Sequence, residues 1–203
     1  ELNLSNNKLT LLPEEFGRIR VGEKLWKSEP DIYEEFTMRG NLDLSYNELT
    51  KLPESFSRID VGRDLYLDHN QLTSLPESFG LIKVRGSLNL NKNQLISLPY
   101  SFSSIIVTAL YLRDNKLTSL PQDFGCIKVV DTINLSNNEL NTLPESFGEI
   151  KLLGDLYLEN NQLASLPESF SRIDVGKKIY LGGNELKPEF PSSYNDIIEK
   201  IRM

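Results

Sequence analysis

One phrase recurs along almost the whole chain: L-x-L-x-x-N-x-L-x-x-L-P-x-x-F-x-x-I. Its asparagine returns every 23 residues, apart from one interval of 22 and one of 40, at Asn7, Asn47, Asn70, Asn93, Asn115, Asn138, Asn161 and Asn184. A fixed period in this range is the signature of a stacked repeat architecture. The 203 residues are therefore expected to form one elongated array rather than one or two globular domains.

The local pattern of a repeat is clear in residues 61–82. The apolar–polar–apolar alternation at 65–67 predicts a short strand. Asn70 follows it, and its carboxamide both donates and accepts, so a stacked column of such side chains can satisfy turn backbone in neighbouring repeats. Pro76 prevents the strand from continuing and favours helix entry. We therefore expect a short helical or 3-10 turn to begin at 77–79, with Phe79 pointing inward.

Read down the array, each position of the phrase becomes a column. The phenylalanine column comprises Phe16, Phe56, Phe79, Phe102, Phe124, Phe147 and Phe170. The asparagine ladder is predicted for Asn47, Asn70, Asn93, Asn115, Asn138, Asn161 and Asn184. Eight or nine strands stacked about 4.8 Å apart give a parallel sheet. The turn side is wider than the sheet, so the sheet is expected on the concave side of a curved solenoid.

These residues resemble the leucine-rich repeat family, whose repeat reads L-x-x-L-x-L-x-x-N-x-L, from Leu2 to about Leu186. The resemblance implies an α/β solenoid: a horseshoe with a parallel concave β-sheet and short helical or 3-10 turns and loops on the convex side. More narrowly, the form at 61–62, 84–86 and 175–176 is similar to the large arrays of giant DNA viruses of amoebae. The chain departs from the family's repeat pattern at one position, where a valine stands just before the position of the family's first leucine. This difference predicts an unusual strand entry.

The interval of 40 residues contains one full repeat and a shortened copy at 22–40. Lys27 stands where an inward leucine belongs, and Pro30 where the ladder asparagine belongs. A buried lysine is unfavourable, and proline cannot donate to a ladder. We expect this segment to loop out locally. It is either a decayed repeat or a contact loop that carries Trp26, Tyr33 and Phe36.

The array is assigned to residues 1–186, and residues 187–203 are interpreted as a C-terminal capping segment. Ser193 can cap a short helix with Asp196 three residues later, and Ile197, Ile198 and Ile201 give that helix an apolar face. A lid of this kind covers the core that the last repeat of a solenoid exposes. A helix that docks a partner is the alternative.

Composition narrows the function classes. The net charge of −7 disfavours nucleic acid, which needs clustered lysine and arginine. No apolar run approaches the 18 or so residues of a membrane span. Cys126 is the only cysteine, so the disulfide-bonded caps usual in secreted arrays cannot form. We therefore expect an intracellular protein (in the host cytoplasm if it is viral), with a monomer favoured and no membrane partner.

Catalytic chemistry has little support in the sequence. His69 is the only histidine, and with Asp64 and Asp68 it forms at most a weak metal-site pattern. Cys126 has only Lys128 as a basic neighbour, which favours packing or partial exposure over a reactive thiol. No glycine-rich phosphate loop follows a strand. We expect no enzyme activity, no cofactor and no metal.

The outward strand positions are the better candidates. One column reads Asn3, Trp26, Asp43, Tyr66, Asn89, Tyr111, Asn134, Tyr157 and Tyr180. Protein interfaces favour such aromatic side chains, although tyrosine also simply favours strands. The predicted partner-binding residues are Trp26, Tyr66, Asp68, Tyr111, Arg113, Tyr157, Glu159 and Tyr180. The sequence thus favours a non-catalytic protein–protein interaction module. The alternatives are a targeting or regulatory repeat region of a larger enzyme, and a structural assembly component.

Overall fold

The computed structural model describes residues 1–21, 24–25, 36–37, 40–186 and 198–202. A parallel sheet of nine two-residue strands runs through this part of the chain. Its strands are Leu2–Asn3, Leu42–Asp43, Leu65–Tyr66, Leu88–Asn89, Leu110–Tyr111, Ile133–Asn134, Leu156–Tyr157, Ile179–Tyr180 and Ile201–Arg202. Short 3-10 turns lie on the opposite side of the array. The predicted solenoid, with one parallel concave sheet, is confirmed.

The alternation of each strand determines its two faces. In the repeat around Leu65, the side chains of Leu65 and Leu67 are fully buried while Tyr66 points outward and is half-buried. Each strand pairs with the next without a register shift, for example Leu65 with Leu88 and Tyr66 with Asn89. Identical positions of successive repeats are therefore neighbours, and the columns read from the sequence are physical columns.

In the sequence, a second set of two-residue strands lies before the strands of the main sheet. These strands explain the unusual strand entry that the valines predict. These strands are Arg20–Val21, Asp60–Val61, Lys83–Val84, Ile106–Val107, Lys128–Val129, Lys151–Leu152 and Asp174–Val175. The second residue of each strand is buried, and it is a valine in every strand except Lys151–Leu152, for example Val61 and Val84. The strands pair in parallel in three groups, with breaks after Lys83–Val84 and after Lys128–Val129. The strand after the first break, Ile106–Val107, lies in the interval of 22 residues between Asn93 and Asn115.

The 3-10 turns carry the aromatic core. They span Glu14–Arg18, Glu54–Arg58, Phe79–Leu81, Tyr100–Ser104, Phe124–Cys126, Glu145–Glu149 and Glu168–Arg172. The carbonyl oxygen of the proline before each turn accepts a hydrogen bond from the phenylalanine N–H. The Phe102 nitrogen, for example, lies 2.9 Å from the Pro99 oxygen. The phenylalanine rings stack along the array with centroids 6.0–6.4 Å apart and planes within 8°. This spacing suits offset aromatic pairs, so the stack joins the successive 3-10 turns from Glu14–Arg18 to Glu168–Arg172.

The ladder asparagines bind the backbone of two repeats at once. Asn93 Oδ1 accepts the Leu72 N–H at 3.0 Å, and its Nδ2 donates to the carbonyls of Leu67 and Leu90 at 3.0 and 3.1 Å. The same pattern holds from Asn47 to Asn184. The carboxamide thus satisfies turn groups that no strand partner reaches.

The shortened copy is separate from the main sheet. Strand Leu2–Asn3 pairs directly with Leu42–Asp43, whereas Lys24–Leu25 pairs antiparallel with Phe36–Thr37. Lys27, Pro30 and Tyr33 lie outside the described residues.

At the other end, Ile198–Lys200 forms a 3-10 turn, and strand Ile201–Arg202 extends the sheet beyond Ile179–Tyr180. Ile201 is buried against the last repeat. Ser193, Asp196 and Ile197, which were expected to start a capping helix, lie outside the described residues. No helix among the residues that are described is long and apolar enough to cross a bilayer.

Candidate functional site

The outward positions of the nine strands form one central column on the concave face. Backbone pairing places each member beside the next in the order Asn3, Asp43, Tyr66, Asn89, Tyr111, Asn134, Tyr157, Tyr180 and Arg202. Tyrosines thus alternate with short polar residues in the middle and are adjacent towards the C-terminal end. The column offers a row of aromatic rings at the spacing of the strands.

The four tyrosines are half-buried and differ in their surroundings. Tyr157 and Tyr180 stack face to face, with ring centroids 4.7 Å apart and planes within 1°. The Tyr66 hydroxyl donates to Asp64 Oδ2 at 3.3 Å. Tyr111 lies between the shorter side chains of Asn89 and Asn134. Both faces of the Tyr111 ring therefore have small neighbours within the column.

The phenol groups of Tyr66, Tyr111 and Tyr157 stay protonated at neutral pH, because the pKa of each is raised. Burial raises the pKa of Tyr66, and the carboxylate of Asp64 raises it further. Burial also raises the pKa of Tyr111 and Tyr157, assisted by the charges of Asp131 and Asp155 respectively. Each hydroxyl can therefore donate to or accept from a partner.

The next outward column is largely used for local hydrogen bonds. Ser45 donates to Asp43 Oδ1 through both its N–H and its hydroxyl, at 2.9 and 2.6 Å, and Ser136 bonds Asn134 in the same way. Arg113 differs, since its side chain is exposed and its Nε lies 3.4 Å from Asp114. These bonds hold the short members of the central column in place.

Glu159 occupies the same outer column beside Tyr157. Its Oε2 atom is inaccessible to solvent and has no hydrogen-bond partner among the described residues. A buried carboxylate oxygen without a donor is unfavourable. The aromatic end of the sheet thus contains a buried acceptor that has no donor among the described residues.

Asp68 differs from the tyrosines predicted to bind a partner, because it is buried. Only 7% of Asp68 is accessible to solvent. Its Oδ2 lies 2.8 Å from His69 Nδ1, and its Oδ1 accepts from Asn89 Nδ2 at 2.9 Å. These neighbours cover the carboxylate. Trp26 lies outside the described residues, and the strand before it, Lys24–Leu25, does not belong to the nine-stranded sheet.

The residue before each ladder asparagine forms a further column that the sequence analysis missed. These residues adopt a left-handed backbone, with φ between 52° and 72°, at Asn6, Tyr46, His69, Lys92, Asp114, Asn137, Asn160 and Gly183. Asn, Asp and Gly tolerate this conformation best, and they fill five of the eight positions. That preference was the signal available in the sequence. The column also adds surface features, including stacked rings of Tyr46 and His69 with centroids 4.0 Å apart.

The residues considered for metal binding or reactivity in the sequence have the following surroundings. Within the described residues, no group of three or more His, Cys, Asp or Glu side chains could hold a metal ion. His69 is engaged by Asp68, and Asp64 Oδ1 accepts the Ser87 N–H at 2.7 Å. Cys126 is exposed on the turn side, away from the sheet face.

Comparisons with known proteins agree with this geometry. A family model described as "Leucine rich repeat" matches residues 106–163, and a second, described as "Leucine Rich Repeat", matches residues 1–19 and 41–59. No curated protein sequence matches the chain.

Solved structures match over most of the chain. The leucine-rich repeat domain of a Shigella effector is 22% identical, with 92% of this chain and 70% of that chain covered and a TM-score of 0.60. A chain of the Drosophila Toll–Spatzle complex is 24% identical over 79% of this chain and 22% of its own length, with a TM-score of 0.63. The Leptospira interrogans protein LIC12759 is 22% identical over 100% and 71%, with a TM-score of 0.42.

The fold is that of a leucine-rich repeat solenoid. The two family models support the leucine-rich repeat family over the residues that they match, and the Shigella and Drosophila structures share the fold. Folds of this class are commonly protein-interaction modules and are typically non-enzymatic.

Proposed function

We propose that the chain is a non-catalytic module that binds a protein partner across its concave sheet, through Tyr66, Tyr111, Tyr157 and Tyr180. The observation that carries this proposal is the register of the central column, which aligns the four half-buried tyrosines on one face. Tyrosine contributes large contact area at little loss of side-chain entropy, and central aromatic residues often dominate binding energy.

Polar groups around the tyrosines add specificity. Arg113 is exposed one column away from Tyr111, and the partly exposed side chain of Glu159 lies beside Tyr157. A partner segment that crosses the middle of the sheet can pair with both charges while it covers the rings. A protein surface with mixed charge and hydrogen-bonding groups meets these requirements.

Nucleic acid and membranes are poor partners for this face. The central column and the strand entries carry Asp43, Asp64 and Asp155, on a chain with a net charge of −7. A phosphate backbone or an anionic lipid surface would meet like charge. We therefore propose a protein partner inside the cell, with the array acting as a monomer that has no cofactor. A viral source, and with it the host cytoplasm, belongs to the same proposal.

The test is an affinity capture in which the protein is coupled to a resin through its only cysteine, which fixes the orientation of the array. Cys126 is exposed on the turn side, so coupling it to a resin leaves the concave face free. The parent, a Tyr111→Ala/Tyr157→Ala variant and a Glu145→Ala control serve as baits in lysate of the source cells. Glu145 is exposed on a 3-10 turn.

We expect at least one protein to be retained by the parent and by Glu145→Ala but lost from the double tyrosine variant. Equal capture by all three baits, or loss with Glu145→Ala alone, contradicts binding through the concave face. Circular dichroism of the three baits ensures that the comparison is made between folded proteins.

A further inference from the structure

A second candidate surface lies on the short-strand side of the array, away from the concave face. Four large apolar side chains from successive repeats are exposed there by 53–71%: Leu81, Ile106, Val130 and Leu153. Contiguous exposed apolar side chains on a folded monomer commonly mark interaction sites. No part of the proposed concave function uses them.

These side chains are neighbours in space. Leu81, Ile106 and Val130 line one groove of about 580 Å³, together with Lys83. The groove coincides with the break between the strands Lys83–Val84 and Ile106–Val107.

Leu153 extends the groove by one repeat, because its N–H donates to the Val130 carbonyl at 2.8 Å. In the other repeats, the position of Val130 and Leu153 is filled by Gly62, Arg85, Thr108 and Gly176. The apolar character is thus confined to the central repeats.

Exposed lysines border the apolar side chains. Lys83, Lys128 and Lys151 occupy the first position of their short strands and point to solvent. Among the described residues, no carboxylate oxygen lies within 4.0 Å of these three ammonium groups. Glu149 and Asp174 are exposed acidic side chains at the C-terminal end of the surface. A chain with a net charge of −7 therefore presents a locally basic apolar surface.

The charge order argues against a second copy of this chain as the occupant. Along the array, the first strand positions read Arg20, Asp60, Lys83, Ile106, Lys128, Lys151 and Asp174. A two-fold axis through Ile106, the centre of this row, places Lys83 against Lys128, and an axis between Ile106 and Lys128 places Lys83 against Lys151, so lysines face each other within the apolar surface in both cases. An isologous dimer must be self-complementary, and like charges in contact are unfavourable.

We propose that this surface, formed by Leu81, Ile106, Val130 and Leu153 with Lys83, Lys128 and Lys151, is a second docking site. Its occupant is an acidic protein segment that carries apolar side chains. The apolar side chains of the segment fill the groove and cover Leu153, and its carboxylates pair with the three lysines. The array thereby holds two partners, or two parts of one partner, on separate faces.

The test uses two short peptides of opposite charge, one of alternating glutamate and leucine and one of alternating lysine and leucine. Cys126 lies two residues before Lys128 and is exposed, so a fluorophore attached to it reports on this surface in the full chain. We expect the glutamate–leucine peptide to bind at least tenfold more tightly, with an affinity that falls as salt rises.

Three variants locate the binding. Ile106→Ser/Leu153→Ser should weaken binding of the acidic peptide at least tenfold, and Lys128→Glu/Lys151→Glu should reverse the peptide preference. Tyr157→Ala, on the concave face, should leave both affinities unchanged, which separates this proposal from the concave one. All the substituted side chains are at least partly exposed, and circular dichroism checks that each variant folds.

Several outcomes overturn the proposal. They are no measurable binding of the acidic peptide, equal binding of the two peptides, or unchanged binding in the variants. Sedimentation of the parent that shows a dimer, lost in Ile106→Ser/Leu153→Ser, makes a second copy the occupant instead.

Discussion

Replacing Asn93 with alanine tests how much the asparagine ladder stabilises the array. Asn93 Oδ1 is the acceptor for the buried Leu72 N–H, at 3.0 Å. Leu67 and Leu90 lose one donor each but keep another, since Asn70 and Asn115 also donate to those carbonyls. The substitution therefore leaves one buried N–H without a partner and removes two further hydrogen bonds, together with a longer one of 3.3 Å to the Asn91 carbonyl.

The expected loss of stability follows from the number of hydrogen bonds that the substitution removes. An unsatisfied buried donor costs about 1–3 kcal/mol, and each of the other two bonds contributes roughly 0.5–1.5 kcal/mol. We expect Asn93→Ala to lower the free energy of unfolding by about 3 kcal/mol. Urea denaturation followed by circular dichroism measures it. Hydrogen exchange should additionally show that the Leu72 amide loses its protection.

Asn7→Ala is the matched control at the end of the ladder. Asn7 is exposed, and its Nδ2 bonds only the carbonyls of its own turn, Leu4 and Ser5 at 2.9 and 3.1 Å. It should cost less than about 1 kcal/mol. The reasoning is refuted if Asn93→Ala lies within about 0.5 kcal/mol of the parent, or if the two variants are equally destabilised.

Three further substitutions test the packing and the turns, each measured by the same unfolding experiment. Phe102→Ala removes a fully buried ring from the stack and should cost about 3–5 kcal/mol; a loss below about 1 kcal/mol would contradict the stacked core. Gly125→Ala places a Cβ 1.7 Å from the Ser146 carbonyl oxygen and should cost at least about 2 kcal/mol. Its control is Ser103→Ala, at the equivalent position, where a buried hydroxyl without a partner is removed and almost no change is expected. Lys92→Gly should stabilise by roughly 0.5–1 kcal/mol because φ is 52° there, whereas Lys51→Gly should not; stabilisation by both would point to a general effect of glycine.

Much of the fold could be predicted from the period alone. The positions of Leu65, Asn70 and Phe79 within the phrase require a strand, a turn and an inward ring, and stacking repeats them. The second set of strands could not be foreseen in this way. Val61 and Val84 were recognised as a departure from the family pattern, but only the pairing of adjacent repeats gives isolated two-residue segments a strand partner.

The candidate site was predictable in outline for a related reason. Period-two alternation shows which side chains leave the core, so Tyr111 and Tyr157 could be placed on the sheet face. The same rule failed for Asp68, because its burial depends on His69 and on Asn89 of the next repeat. Alternation determines direction, whereas accessibility depends on the neighbouring repeats.

The central claim is that the concave tyrosines bind the partner, and the most direct test is the dissociation constant of the captured protein for single-site variants. Isothermal titration calorimetry of the parent, Tyr157→Ala and Glu145→Ala gives these constants. Loss of a central aromatic contact usually costs about 2 kcal/mol or more, so Tyr157→Ala should weaken binding at least about tenfold. Glu145→Ala should bind as the parent does. Unchanged affinity in Tyr157→Ala together with weakened binding in Glu145→Ala would contradict the account and move the binding surface to the turn side.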